Sequence, residues 1–359
     1  TEPDPRGTVN LPFGPLMSIA PVATYLVFFK WLGMLAFDNA YNLAIVLSGV
    51  AGAFILYLFL LEAFGLPTAI AGFAFLALLP RYFGDLHNNM KDVPQAAAFT
   101  LAIWMFWRLV RYRRIRDLIF ASLAFAIAFN TKVNTVVVPV IAACWWMITN
   151  KKKFVLWYFF TAPIAAFALW SVFWPGPVGQ LLYIPRFFID NTQNIEVLIN
   201  GAWYCSGENV PWWYPLWYLA ITTPLPILFF FFIGLITKPR SNEGTKLLLL
   251  LWFFLPLLRY VFPRMGVIDG IRHFEEVVFP MSAIAAIGTT KIITWFQHLL
   301  PHKSNAFDVA VATVKTILFG GILILLVLPI IRYHPFQISY YNELVGGAKG
   351  AFGIYDIDN

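Results

Sequence analysis

"AIAGFAFLALLPRYFGDLHNNMKDVPQAAAFTLAIWMFWRLVRYRR", residues 69–114, sets two apolar runs on either side of a polar knot. The knot, residues 81–94, gathers Asp85, His87, Asn88, Asn89, Lys91 and Asp92, and the second run ends in a cluster of arginines. Runs approaching ~20 apolar residues read as membrane-crossing helices. Polar groups at the end of such a helix cost free energy unless water or a task satisfies them.

Composition extends this pattern to the whole chain of 359 residues. Hydrophobic residues make up 60% and charged residues 12%, and the mean hydropathy is +0.72. A soluble domain carries about 25% charged residues, so the fold expected is all-α, a polytopic transmembrane helix bundle. Its 36 Phe, 14 Trp and 15 Tyr suit lipid-facing surface with aromatic belts at the interfaces. Spans are expected near 41–63, 67–82, 93–110, 117–131, 134–149, 154–174, 216–237, 246–262, 275–296 and 309–331, about ten in all. Residues 12–36, interrupted by Pro12, Pro15 and Pro21, are expected to form an interfacial or re-entrant segment. The polar start "TEPDPRGTVNLPFG" contains no signal peptide, so the expectation is either a further helix ahead of Thr1 or a chain that is a fragment. No internal repeat is apparent, which predicts a single membrane domain over 1–359. Within it 1–40 is part of a first outer loop, 41–331 the bundle and 332–359 an outer C-terminal segment. Cys144 lies in an apolar run and Cys205 in a polar loop, so no disulfide is expected.

Charge sets the orientation. Lys and Arg are dense in the short loops 108–117, 150–153, 238–246 and 291–303, which the positive-inside pattern assigns to the cytoplasm. Most acids fall on the other side, among them Asp85, Asp92, Asp190, Glu196, Glu208, Asp269, Glu275 and Glu276. The long, chemically rich segments lie there too, so function is expected on the outer face. The net charge of +7 therefore points to membrane topology and not to nucleic acid.

Four constellations carry the chemistry. Asp85 and His87 offer a carboxylate and an imidazole, a possible pair of metal ligands, or else a solvated loop. Asp92, with Pro94 just inside the next helix, reads either as an N-cap or as a working carboxylate. Lys91 beside these acids could hold a phosphate as a point charge. In "GVIDGIRHFEEVVFP", 266–280, Arg272 with Arg259 and Arg264 nearby suits a lipid phosphate, although snorkelling alone explains a single arginine. Glu275 and Glu276 at a helix start suit its dipole. "GENVPWWYPLWYLAITTPLP", 207–226, is an aromatic anchor at the interface or a lid on a sugar-sized pocket. "RYHPFQISYYNELVGGAKGAFG", 332–353, reads as an ordered outer cap, with Tyr340, Tyr341 and Asn342 as contacts or as packing. No helix interior carries a run of charges, which argues against an ion pathway. P-loop, HExxH and GxSxG motifs are absent from the sequence.

These four stretches, in this order and spacing, resemble the GT-C superfamily of integral-membrane glycosyltransferases. The likeness is to the protein-mannosyltransferase and aminoarabinose-transferase-like branch that uses polyprenyl-phosphate sugars. The resemblance implies inverting transfer of a sugar from a polyprenyl-phosphate-linked donor to an acceptor glycan, lipid or protein at the extracytoplasmic face of a prokaryotic plasma membrane. Membrane lipids are then its surroundings and nucleic acid no partner. It implies Asp85 and Asp92 as catalytic carboxylates and Lys91, Arg272 and His273 as contacts to the donor phosphate. Asn88, Asn89, Tyr214, Glu275, Tyr341 and Asn342 would touch substrate. A divalent metal ion on Asp85 and His87 is the cofactor option. The family's first-loop acid has no clear counterpart, Glu2 and Asp4 being the acids within reach. The alternatives are a transporter or flippase for a lipid-linked saccharide, which should show polar or broken helices at the bilayer midplane, and a non-catalytic assembly subunit.

Overall fold

The protein is described from a computed structural model that covers residues 13–149, 152–174, 176, 178–184, 195–238, 243–262, 265–299 and 305–356. Glu2, Asp4, Pro12, Asp190 and Arg264 lie outside the described residues. Helix α1, Leu16–Tyr25, is followed by the long α2, Phe37–Phe64, and by α3, Leu66–Ala77. The short α4, Pro80–Asp85, leads into α5, Asp92–Tyr112, and α6, Ile115–Phe129. Next come α7, Val137–Thr149, and α8, Tyr158–Ala168. A small hairpin of β1, Glu196–Ile199, and β2, Ala202–Cys205, precedes α9, Tyr214–Thr222, and α10, Leu225–Ile236. The chain continues through α11, Glu243–Leu258, α12, Val278–Leu299, and α13, Asn305–Arg332, to the single turn of α14, Gly347–Ala351.

The all-α polytopic architecture expected from composition is present, and each expected span has helix at its place. Among the described residues, four helical segments are long and apolar enough to cross a membrane: Phe37–Phe64, Asp92–Tyr112, Gly244–Val261 and Arg272–Trp295. Six shorter apolar segments accompany them. Proline decides where two expected spans break. Pro80 has no N–H to continue a helix and holds Leu79 extended at φ −76°, ψ 113°, so 67–82 is α3, a break and α4. Pro224 likewise divides 216–237 into α9 and α10. Pro21 does the opposite of what was expected. Pro15 stands at the N-cap and Pro21 inside α1, which runs on without interruption into a π-helical stretch, Leu26–Trp31. A proline in a helix removes one hydrogen bond, and here that loss does not end the helix. Both cysteines are free.

Helices α5 and α12 form the buried centre. Around α5 pack α2, α6 and the 3-10 turn Arg272–Val277 that precedes α12, while α12 itself meets α3, α10 and α11. The α10–α12 contact depends on Gly234 and Gly288. A Cβ on Gly234 would come within 1.9 Å of the Ile284 carbonyl oxygen, and one on Gly288 within 2.1 Å of that of Phe230. Small residues let membrane helices approach backbone to backbone, where dispersion replaces the missing hydrophobic drive. This packing brings the start of α5 against the turn before α12. At about 1.5 Å per residue, α5 places Asp92 roughly 30 Å from the arginines that follow it.

Candidate active site

Asp92 is not its own helix cap. The backbone N–H of Asp92 donates to Asn89 Oδ1 at 3.0 Å, so Asn89 caps the start of α5 and leaves the Asp92 carboxylate free to turn inward. There it meets two cations on its two oxygens: Lys132 Nζ on Oδ1 and Arg272 Nε on Oδ2 at 3.3 Å. Asp92 and Lys132 are both buried. Lys132 arrives from the link after α6, where it forms an isolated antiparallel bridge with Phe13. The Phe13 ring in turn lies 3.6 Å beneath Lys91 Nζ. Burial first, and then the nearby Lys132 charge, hold the Lys91 amine below the ordinary lysine range. Arg272, with 39% of its side chain exposed, also pairs with Asp269 at 3.3 Å. His273 Nε2 stands 3.7 Å from the same Asp269 carboxylate.

An acidic half adjoins this cationic one. Asp85 ends α4 and is buried. Asn89 Nδ2 donates to Glu275 Oε2 at 3.4 Å, and the other oxygen of the buried Glu275 has no hydrogen-bond partner among the described residues. Burial pushes the Asp85 carboxyl up, to about 7, with Arg81 opposing the shift and Asp92 adding to it. Buried carboxyls that share a site cannot all ionise at once. One side of the site thus offers cations to an anion, and the other a carboxyl poised between its two protonation states.

The remaining expected residues fall elsewhere. His87 is exposed, with Nδ1 3.1 Å from the Phe83 carbonyl oxygen, whereas Asp85 is buried. Among the described residues no three His, Cys, Asp or Glu are grouped to hold a metal ion. The residues present do not fit a metal centre on Asp85 and His87. Asn88 is exposed. Tyr214 is buried and its hydroxyl accepts the Gly270 N–H at 3.0 Å, bracing the turn that carries Asp269. Asn342, expected at the substrate, braces the backbone. Its Nδ2 donates to Ala220 O and Thr223 O, both at 2.7 Å, and its Oδ1 accepts from Leu344 N–H at 3.1 Å. Tyr341 donates its hydroxyl to Asp356 O and stacks on Tyr355. Arg259, expected near a lipid phosphate, is instead tied to Glu276 at 3.1 Å and to the His273 carbonyl. Buried arginines rarely lack such partners.

The fold has known counterparts. A family model described as dolichyl-phosphate-mannose-protein mannosyltransferase matches residues 19–175. No curated protein matches the sequence. The solved structure of ArnT from Cupriavidus metallidurans bound to undecaprenyl phosphate superposes with a TM-score of 0.60 at 15% identity, covering 96% of this chain and 68% of that one. The apo form of the same protein gives 0.59 at 12% identity, covering 96% and 67%.

The chain shares the fold of ArnT.

Asp92, Lys91, Arg272 and the Asp85–Glu275 region lie at one end of α5. Three participants escaped the sequence reading. Lys132 was legible as a lone cation in "NTKVNT" between apolar runs, but only folding pairs it with Asp92. Phe13 carried no signal at all. Arg81 stood in the opening stretch as one more loop cation, and its burial is a tertiary fact.

Proposed function

We propose that this chain is an inverting glycosyltransferase, moving a sugar from a polyprenyl-phosphate-linked donor to an acceptor at the extracytoplasmic face of the membrane. The observation that carries this reading is the convergence of Lys91, Lys132 and Arg272 around Asp92, immediately beside Asp85 and Glu275. Lys91, Lys132 and Arg272 bring three cationic nitrogens to the space beside Asp92, where an anionic phosphate would find charge-assisted contacts. Dolichyl phosphate, named in the matching family's description, and undecaprenyl phosphate, bound in the similar structure, are both polyprenyl phosphates, which supports this choice of donor class.

In the proposed step the acceptor hydroxyl attacks the anomeric carbon from the face opposite the phosphate. The bond from that carbon to the phosphate oxygen breaks, its electron pair staying with the polyprenyl phosphate, which gains a negative charge. Lys132 and Arg272 are already ordered by Asp92, so they stabilise that charge without reorganising. Asp92 acts here as the organiser of cations, its oxygens being engaged. Asp85 takes the proton of the acceptor hydroxyl as general base. One displacement inverts the anomeric centre, and no enzyme nucleophile is needed.

The test uses the full-length protein in lipid nanodiscs with a radiolabelled polyprenyl-phosphate sugar and reads the release of polyprenyl phosphate. Arg272→Ala is expected to lower kcat/KM for the donor by about 10–100-fold, the loss of one or two charge-assisted contacts. The KM for the acceptor should move much less. No release by the wild-type protein, or an Arg272→Ala defect confined to the acceptor, would sink the reading.

A further inference from the structure

Arg81 is a buried charge that the proposed step leaves without a task. Only 5% of it is exposed. Its Nε donates to the Tyr340 carbonyl at 3.1 Å, and its guanidinium carbon lies 4.7 Å from the centre of the Tyr341 ring. Nη2 has no hydrogen-bond partner among the described residues. Space for the guanidinium depends on Gly270, where a Cβ would come within 2.5 Å of Nη1. Burying a guanidinium without a bonded carboxylate is costly, and a Met or Leu would fill the same slot over Tyr341. Asp85, one turn further along α4, is a carboxylate that feels its charge.

What fixes Arg81 is the C-terminal segment. α4 lies flush against the turn Gln337–Ser339, since a Cβ on Gly84 would come within 2.7 Å of the Ile338 nitrogen. Beyond Tyr341 the segment is bolted to the hairpin: Gly201 N–H donates to Ile354 O at 2.9 Å, and Leu198 N–H to the Asp356 carboxylate at 3.2 Å. Tyr355 donates to Asn200 Oδ1 at 2.5 Å. Residues 337–356 thus form a cap anchored on α9, on the hairpin and on α4, and Arg81 is its polar contact with the helix that carries Asp85.

We propose that Arg81 is a positioning residue, seated by the C-terminal cap so that its charge holds the Asp85 carboxylate ready to accept the acceptor's proton. The proposal rests on the glycosyltransferase reading for the identity of the step, but the coupling of cap to α4 does not. Arg81 touches no reacting atom. Groups facing Asp85 from the elements around it are Asp92 on α5, Arg272 and Glu275 on the turn before α12, and the Asn89 amide.

Two measurements on the full-length protein in nanodiscs test it. In turnover, Arg81→Met should lower kcat by about tenfold or more with the donor KM changed by less than about twofold, and Arg81→Lys should recover part of the loss. In an Asp85→Asn background the same Arg81→Met change should add less than about twofold, because residues acting through one another are not additive. Additive losses, or a defect in donor KM alone, overturn the proposal. In hydrogen exchange, Arg81→Met should speed amides in both 337–342 and 85–92, and a response confined to 337–342 overturns it without reference to catalysis. If the wild-type protein releases no polyprenyl phosphate, the transferase reading fails, and the exchange result still decides whether Arg81 links cap to site.

Discussion

Asp85 and Asp92 show how two acids seven residues apart acquire opposite characters. Asp92 receives Lys132 and Arg272 and is held as an anion by them. Asp85 is buried with only part of that compensation, and its carboxyl titrates near 7. Two consequences differ in sign. If Asp85 is the base, turnover should rise as pH increases through about 7 and the ionised form fills. Asp85→Asn should remove that limb and cut kcat by about 100-fold or more, within the range for general-base loss. Stability should run the other way. The folded state holds the Asp85 proton more tightly than the unfolded chain, whose carboxyl ionises near 3.8. The contribution of this group to stability therefore falls as pH rises from there to about 7. Thermal unfolding of wild type and Asp85→Asn across that range checks it: the wild type should lose stability relative to the variant on the alkaline side. A flat difference would mean that Asp85 is not the strained carboxyl.

At the scale of elements, proline and hydrogen-bond supply decide where helices stop. The carbonyls of Ala220 and Thr223 flank the α9–α10 break, and both accept from the Asn342 amide. Leaving buried carbonyls unsatisfied costs about 1–3 kcal/mol each, so Asn342→Ala should lower the thermal unfolding temperature without altering which donor is used. A variant with unchanged stability and a changed donor KM would return Asn342 to the substrate. Two breaks inside expected spans, and a turn that was not expected, do carry local signals. Leu79–Pro80 and Thr223–Pro224 both carry the proline signal for a break. Asn200–Gly201 is the two-residue turn favoured by hairpins, and both residues have positive φ. Pro21 gave a false signal, since a proline can sit inside a helix at the loss of one bond.

For the whole molecule the testable quantity is sidedness. The arginines after α5 and the site at its start lie at opposite ends of one helix, so labelling one end reports on both. Cys205, partly exposed in β2 on the hairpin that holds the cap, should react from outside intact cells with an impermeant thiol reagent, whereas Cys144, on α7 within an apolar segment, should not. Protection of Cys205 until the cells are opened would reverse the proposed topology. Both thiols being free makes the comparison direct.

Properties carried by short stretches could be read before any folding: the helical membrane class, the places of the spans and the end of the molecule where the polar chemistry gathers. They depend on hydropathy, on proline's missing N–H and on charge density, all of which are local. Which charges meet could not be read in this way. Asp92 finds Lys132 across 40 residues and Arg272 across 180, and Arg81 finds Tyr340 across 259. Such pairs form because the helices pack in one arrangement, and a chain read residue by residue holds no record of that packing. Burial then separates a cap from an ion pair and a loop arginine from a seated one, and burial exists only once the bundle has closed.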